Sequence, residues 1–66
     1  MNFDETVEQI RALLRSKGRV AYRALKRRFD LDDEYIEDVK AELIKADHVA
    51  RDEDGEVLVW IGERIK

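Results

Sequence analysis

The sequence predicts an α+β domain of three helices followed by a C-terminal β-hairpin, and three observations predict it. Apolar residues recur at helical spacing in three successive stretches, Phe3 to Leu14, Tyr22 to Phe29 and Tyr35 to Leu43. The pattern then changes to the alternation of a strand pair around an Asp-Gly turn signal at Asp54-Gly55. Gly18 marks a stop after the first helical stretch, and Asp30-Leu31-Asp32, between the second and third, is too short for anything but a turn.

The first helix begins at a capping box, in which the Asn2 side chain accepts from the third helical N–H and Glu5 reaches back. Phe3, Val7, Ile10 and Leu14, with Leu13 beside them, form its apolar stripe. Asp4, Glu5 and Glu8 complement the positive end of the helix dipole, and Arg15 and Lys17 the negative end. Gly18 supplies the left-handed stop. This helix explains itself by packing and is assigned no other function. Arg19-Val20 follows, placed to add a short third strand to a sheet completed later in the chain.

The second helix is expected from Ala21 to Phe29, with Tyr22, Leu25 and Phe29 inward. Arg23, Lys26 and Arg27 point outward, with Arg19 before them and Arg28 on the flank. Gly18 to Phe29 holds five basic residues and no acidic one. Like charges at i, i+4, such as Arg23 and Arg27, oppose the helix by a few tenths of a kcal/mol, on the order of 0.3 per pair. Either the following acidic segment neutralises this stripe or an external polyanion such as a phosphate backbone does.

The third helix is expected from Asp33 to Ala46, capped by Asp32. Residues 30 to 42 carry seven acidic residues and one lysine. Steps of four place Glu34, Asp38 and Glu42 on one outward face, with Glu37 on its flank; Lys40 and Lys45 offset them only in part. His48 to Arg51 and Glu56 to Ile61 read as strands, joined by Asp52-Glu53-Asp54-Gly55. Alternation puts Val57, Val59 and Ile61 on one face and Leu58 and Trp60 on the other, so Trp60 belongs either to the core or to an apolar contact patch.

Three helices followed by a hairpin is the order of a winged helix-turn-helix, the hairpin being the wing. In a DNA-reading member the third helix enters the major groove between phosphate walls. Here its early residues are Asp33, Glu34, Glu37 and Asp38, and the wing tip is Asp52, Glu53, Asp54 and Glu56. Both surfaces that would face DNA are acidic, and a duplex would repel them.

Composition sets the remaining bounds. The 66 residues make one small domain, expected over 1–61, with 62–66 a tail or the start of a linker. A chain of this size buries only about 60% of the surface its unfolded form exposes. The net charge of −3 conceals segments of 0, +5, −6 and −2 over residues 1–17, 18–29, 30–42 and 43–66. Without cysteine there is neither a disulfide framework nor a thiolate metal site. No apolar run approaches the roughly 18 residues of a membrane span, and the N-terminus lacks the pattern of a signal peptide, so a cytoplasmic protein is expected.

No Ser/His/Asp or Cys/His set exists, and His48, the single histidine, has no partner for catalysis or metal binding. Asp52-x-Asp54-Gly55 lacks the spacing and closing glutamate of a calcium loop, and the three glycines form no phosphate loop. No catalytic, metal or cofactor residue and no small-molecule substrate is assigned.

The stretches GRVAYRALKRRF, LDDEYIEDVKAELI and DEDGEVLVW resemble the N-terminal module of large bacterial signalling proteins, where it precedes a region similar to adenylate/guanylate cyclases and an ATPase region. The likeness runs from about Val7 to Gly62 and is carried by Tyr22, Arg23, Leu25 and Lys26, by Leu31, Asp32, Asp33, Tyr35, Asp38 and Leu43, and by Asp54, Gly55, Val57, Leu58 and Trp60. It implies a non-catalytic accessory domain with a protein partner. The chain ends at Lys66 with no cyclase or ATPase region, so an excised domain or a free-standing relative is expected and no catalytic activity is carried over.

The functional expectation is a non-enzymatic interaction or regulatory module that meets an unidentified protein, or adjoining domains of a larger chain. Glu34, Glu37, Asp38, Glu42 and Trp60 are its candidate contacts. The alternative is DNA binding along the phosphate backbone through Arg19, Arg23, Lys26, Arg27 and Arg28.

Overall fold

In the computed structural model, which describes residues 2–62, the first helix opens on the expected capping box. The Glu5 N–H donates to Asn2 Oδ1 at 2.8 Å, and the Asn2 N–H donates to Glu5 Oε1 at 3.4 Å. Helix α1, Phe3–Lys17, buries Val7, Ile10 and Leu14. It stops where Gly18 takes φ 85°, its N–H donating to the Leu14 carbonyl at 2.7 Å.

Strand β1, Arg19–Ala21, follows at once, and helix α2 spans Tyr22–Phe29. The helix starts one residue later than its pattern suggests because Ala21, at ψ 142°, is still extended and pairs with Val57. Asp30 ends α2 in the left-handed conformation, at φ 57°. Asp32 then caps helix α3, Asp33–Lys40, accepting from the Tyr35 N–H at 2.8 Å.

The apolar stripe expected to run as one α-helix to Ala46 instead passes into a π-helical segment, Ala41–Ala46. Its wider hydrogen bonding is seen where the Asp47 N–H donates to the Glu42 carbonyl at 2.9 Å. Leu43 stays fully buried inside it. Beyond it His48 does not open a strand: at φ 57° it is the left-handed residue that ends the helical run, and the Val49 N–H folds back on the Leu43 carbonyl at 3.0 Å.

Strands β2, Ala50–Glu53, and β3, Val57–Trp60, form the hairpin; β2 begins and ends two residues later than the expected His48 to Arg51, and β3 is one residue shorter at each end than the expected Glu56 to Ile61. Asp54 and Gly55 take φ 58° and 70°, the pair of positive values a type I′ turn requires, and the Glu56 N–H donates to the Glu53 carbonyl at 3.1 Å. β3 lies centrally in an antiparallel sheet of order β1-β3-β2, so the short third strand is present. Val20 faces Leu58, and Leu58 faces Asp52.

Val20, Leu58 and Ala50 therefore turn toward the helices, where they join Val7, Ile10, Leu14, Leu25, Ile36, Val39 and Leu43 in one core. The other face of the sheet carries Arg19, Val59 and Arg51 in one row and Ala21, Val57 and Glu53 in the next. An Arg19–Glu53 ion pair spans it, and Val59 beneath is only 9% exposed. The result is α+β, three helices and a three-stranded antiparallel sheet, with an element order consistent with a winged helix. Among the described residues no helix is long and apolar enough to cross a membrane. The expected tail lies, apart from Gly62, outside the described residues.

Candidate functional site

Two exposed helix faces of opposite sign make up the candidate site. On α2, the helical advance of about 100° per residue carries Arg23 and Arg27 away from buried Tyr22 and Leu25. Both are exposed, and neither forms an ion pair among the described residues. Arg28 is also exposed and unpaired there, but it emerges about 140° around the helix axis from Arg23.

The other two candidate cations are committed elsewhere. Lys26 pairs with Asp33 at the start of α3, and Arg19 sits on the outer face of the sheet with Glu53. The five cations are thus not one continuous stripe. Arg23 and Lys26 line a cleft of about 460 Å³ between α2 and the hairpin, facing Glu56 and Gly55. Neutralisation within the domain is partial, because Lys26–Asp33 is the one ion pair between α2 and α3 among the described residues.

On α3, Glu34 and Asp38 are exposed without an ion pair among the described residues, and Glu42 continues them into the π-helical segment in the same state. Glu37 differs, since it holds Lys40 at 3.3 Å. In the hairpin, Asp54 and Glu56 are exposed and unpaired in the same sense, whereas Asp52 and Glu53 are both engaged.

Asp52 belongs to a cluster that composition hides. The Tyr22 hydroxyl donates to Asp52 Oδ1 at 2.5 Å, and the Gly55 N–H donates to Asp52 Oδ2 at 3.0 Å. Lys40 Nζ lies 3.7 Å from Asp52 Oδ1 and 5.0 Å from the centre of the Tyr22 ring. Burial, followed by the Asp52 hydrogen bond, pushes the Tyr22 phenol well above its ordinary range. The same hydrogen bond is the main cause holding the Asp52 carboxyl below its ordinary value, helped by Gly55 and Lys40 and opposed by desolvation. This clamp ties the hairpin to α2 and α3, and so links the elements that carry the two charged faces.

Trp60 is neither fully core nor free. It packs partly buried against the core, and the Arg15 guanidinium covers its ring at 5.4 Å from the centroid. Ile61, which alternation groups with Val57 and Val59, is the one exposed large apolar residue among the described residues, at 54%. β3 has ended, and Ile61 instead donates its N–H to the Val49 carbonyl at 2.9 Å. Asp52 and Lys40 were missed as partners of Tyr22, since no local spacing links residues 18 and 30 positions apart; only the Asp-x-x-Gly turn hinted at Asp52.

No family model matches the chain, and no curated protein or solved structure matches it.

Proposed function

We propose that this chain is a non-enzymatic winged helix-turn-helix module whose acidic α3 face docks on a basic surface of another protein. The observation that carries the reading is the row Glu34, Asp38 and Glu42, exposed and without ion pairs among the described residues. It stands on the helix that a DNA-reading member would insert between phosphates. Like charges four residues apart oppose their own helix, so a cationic partner gains both pairing and relief of that repulsion. Glu37 lies beside the row, and Asp54 and Glu56 add carboxylates on the wing. The resemblance to the N-terminal modules of bacterial signalling proteins supplies the setting: a regulatory domain in the cytoplasm, with adjoining domains among its partners.

The test is an amide-resolved NMR titration with a blocked helical peptide carrying lysines at every fourth position. Shifts concentrated from Glu34 to Glu42, and lost in the Glu34→Lys/Asp38→Lys variant, support the reading. A peptide that leaves α3 unmoved refutes it.

A second reading, DNA binding along the backbone, is favoured by the unpaired Arg23, Arg27 and Arg28. Contacts of that kind are weak and sensitive to salt, and carry little base readout. Arg23→Glu with Arg27→Glu would remove them and leave a protein contact through α3 intact.

A further inference from the structure

Strand β1 is an edge strand, and its hydrogen bonding shows which groups face outward. The Tyr22 N–H donates to the Glu56 carbonyl at 2.9 Å and the Trp60 N–H to the Gly18 carbonyl at 2.8 Å. In an antiparallel pair such bonds recur at every second residue, so Val20 is the residue between them that bonds Leu58. The backbone N–H groups of Arg19 and Ala21, and the Arg19 carbonyl, therefore point away from β3. None of the three has a hydrogen-bond partner among the described residues.

Beside this edge runs a groove of about 240 Å³ between α1, β1 and α2. Its floor is apolar, made by Leu13, Val20 and Ala24, and Lys17, Arg19 and Arg28 stand on its rim. Lys17 and Arg28 are exposed with no ion pair among the described residues, while Arg19 holds Glu53. Among the described residues no acidic one lines the groove.

We infer that this edge is a docking site for an extended protein segment in which carboxylates flank one aliphatic side chain. The segment adds a fourth strand alongside β1, pairing with the outward groups of Arg19 and Ala21. Side chains of an added strand alternate between the two faces of the sheet. On the helix side, the aliphatic residue fills the notch over Leu13, Val20 and Ala24, and carboxylates two positions away on either side reach Lys17 and Arg28. Carboxylates at the intervening positions lie on the face of Arg19. An acidic segment is selected because the rim is wholly cationic, and an extended one because the unpaired groups are backbone groups along about 10 Å of strand. The site uses none of the acidic α3 residues, so it stands or falls apart from the contact proposed there.

A blocked pentapeptide, Glu-Asp-Leu-Asp-Glu, titrated into the labelled domain at physiological salt tests this. Expected are amide shifts confined to residues 17–24 and Arg28, with affinity reduced about tenfold or more when glycine replaces the leucine of the peptide. Ala21→Pro is the decisive variant. Ala21 already has φ −72°, within the range of proline, and the N–H lost bonds nothing in the domain. The variant is expected to keep the amide spectrum of the rest of the domain and to bind at least about tenfold more weakly, as is Lys17→Glu/Arg28→Glu. If Ala21→Pro does not fold, the double variant and the glycine peptide decide. Absence of binding overturns the inference, as does equal affinity for the leucine and glycine peptides or undiminished binding by Ala21→Pro. A generic DNA duplex that moves the same amides at lower concentration than the peptide also overturns it.

Discussion

His48→Gly separates two accounts of one residue by the sign of its effect. Were His48 the first residue of a strand, glycine there would weaken pairing and lose more conformational freedom on folding, a loss of about 0.5–1 kcal/mol. The structure instead places His48 at φ 57°, exposed, with Val49 bonded back to Leu43. A non-glycine residue in that conformation carries strain of about 1–2 kcal/mol. Glycine relieves the strain and gives back about 0.5–1 kcal/mol through the greater freedom of its unfolded chain. The net expectation is no loss and a gain of up to about 1.5 kcal/mol, or a rise of up to about 12 °C in Tm for a domain this small. Thermal unfolding followed by far-ultraviolet circular dichroism, with urea titration as a check, measures it. A clear fall in stability would show that His48 is not in the left-handed conformation, or that its imidazole makes a contact glycine cannot replace.

Other variants probe the core, the clamp and the first cap. Leu58→Ala, at a fully buried site in the central strand, is expected to lose about 2–5 kcal/mol. A domain of this size has only about 3–10 kcal/mol in total, so urea titration should show a large unfolded fraction near the low end. Asn2→Ala removes half of the capping box and should reduce stability by about 1 kcal/mol, measured in the same way. The clamp gives two limbs of pH dependence. Because the folded Asp52 carboxyl is depressed, its contribution is full above the ordinary carboxylate range and disappears as pH falls through its folded value. Because the folded Tyr22 phenol is raised, its contribution is full below about pH 10 and disappears as pH rises from there toward the folded value. Urea midpoints measured across pH should fall at both extremes. Tyr22→Phe should flatten the alkaline limb and diminish the acid one, and an unchanged profile would contradict the clamp.

Much of the fold was legible because its signals are local. The capping box at Asn2 and Glu5, the stops at Gly18 and Asp30, the Asp32 cap and the Asp54-Gly55 turn are each written within a few residues of where they act. The short third strand was legible from Val20, which lies between a glycine stop and a helix and pairs with Leu58. The passage of α3 into a π-helical segment was not, because Leu43 satisfies the α-helical apolar period and nothing local in the sequence distinguishes the two. Ile61 was misplaced because alternation holds only while a strand lasts, and β3 ends at Trp60.

The candidate site was legible as a list of charges but not as an arrangement. Residues 18–29 read as one basic stretch, yet the chain turns from strand to helix at Tyr22 and sends Arg19 to the face of the sheet. Which carboxylates remain free is likewise a matter of tertiary structure. Asp33 meets Lys26 and Asp52 meets Tyr22, while Glu34, Asp38 and Glu42 have no cation within pairing distance among the described residues. The edge of β1 has no sequence signature, because it exists only once β3 has paired with the other side of the strand.

The most direct test of the central claim, that the α3 face is built for protein rather than DNA, is a titration of the labelled domain with a generic DNA duplex at physiological salt, resolved at every backbone amide. The account predicts that Glu34 to Glu42 do not move and that any shifts near Arg23 and Arg27 are small and vanish as salt is raised. Saturable shifts across both α2 and α3 that persist at physiological salt would contradict it.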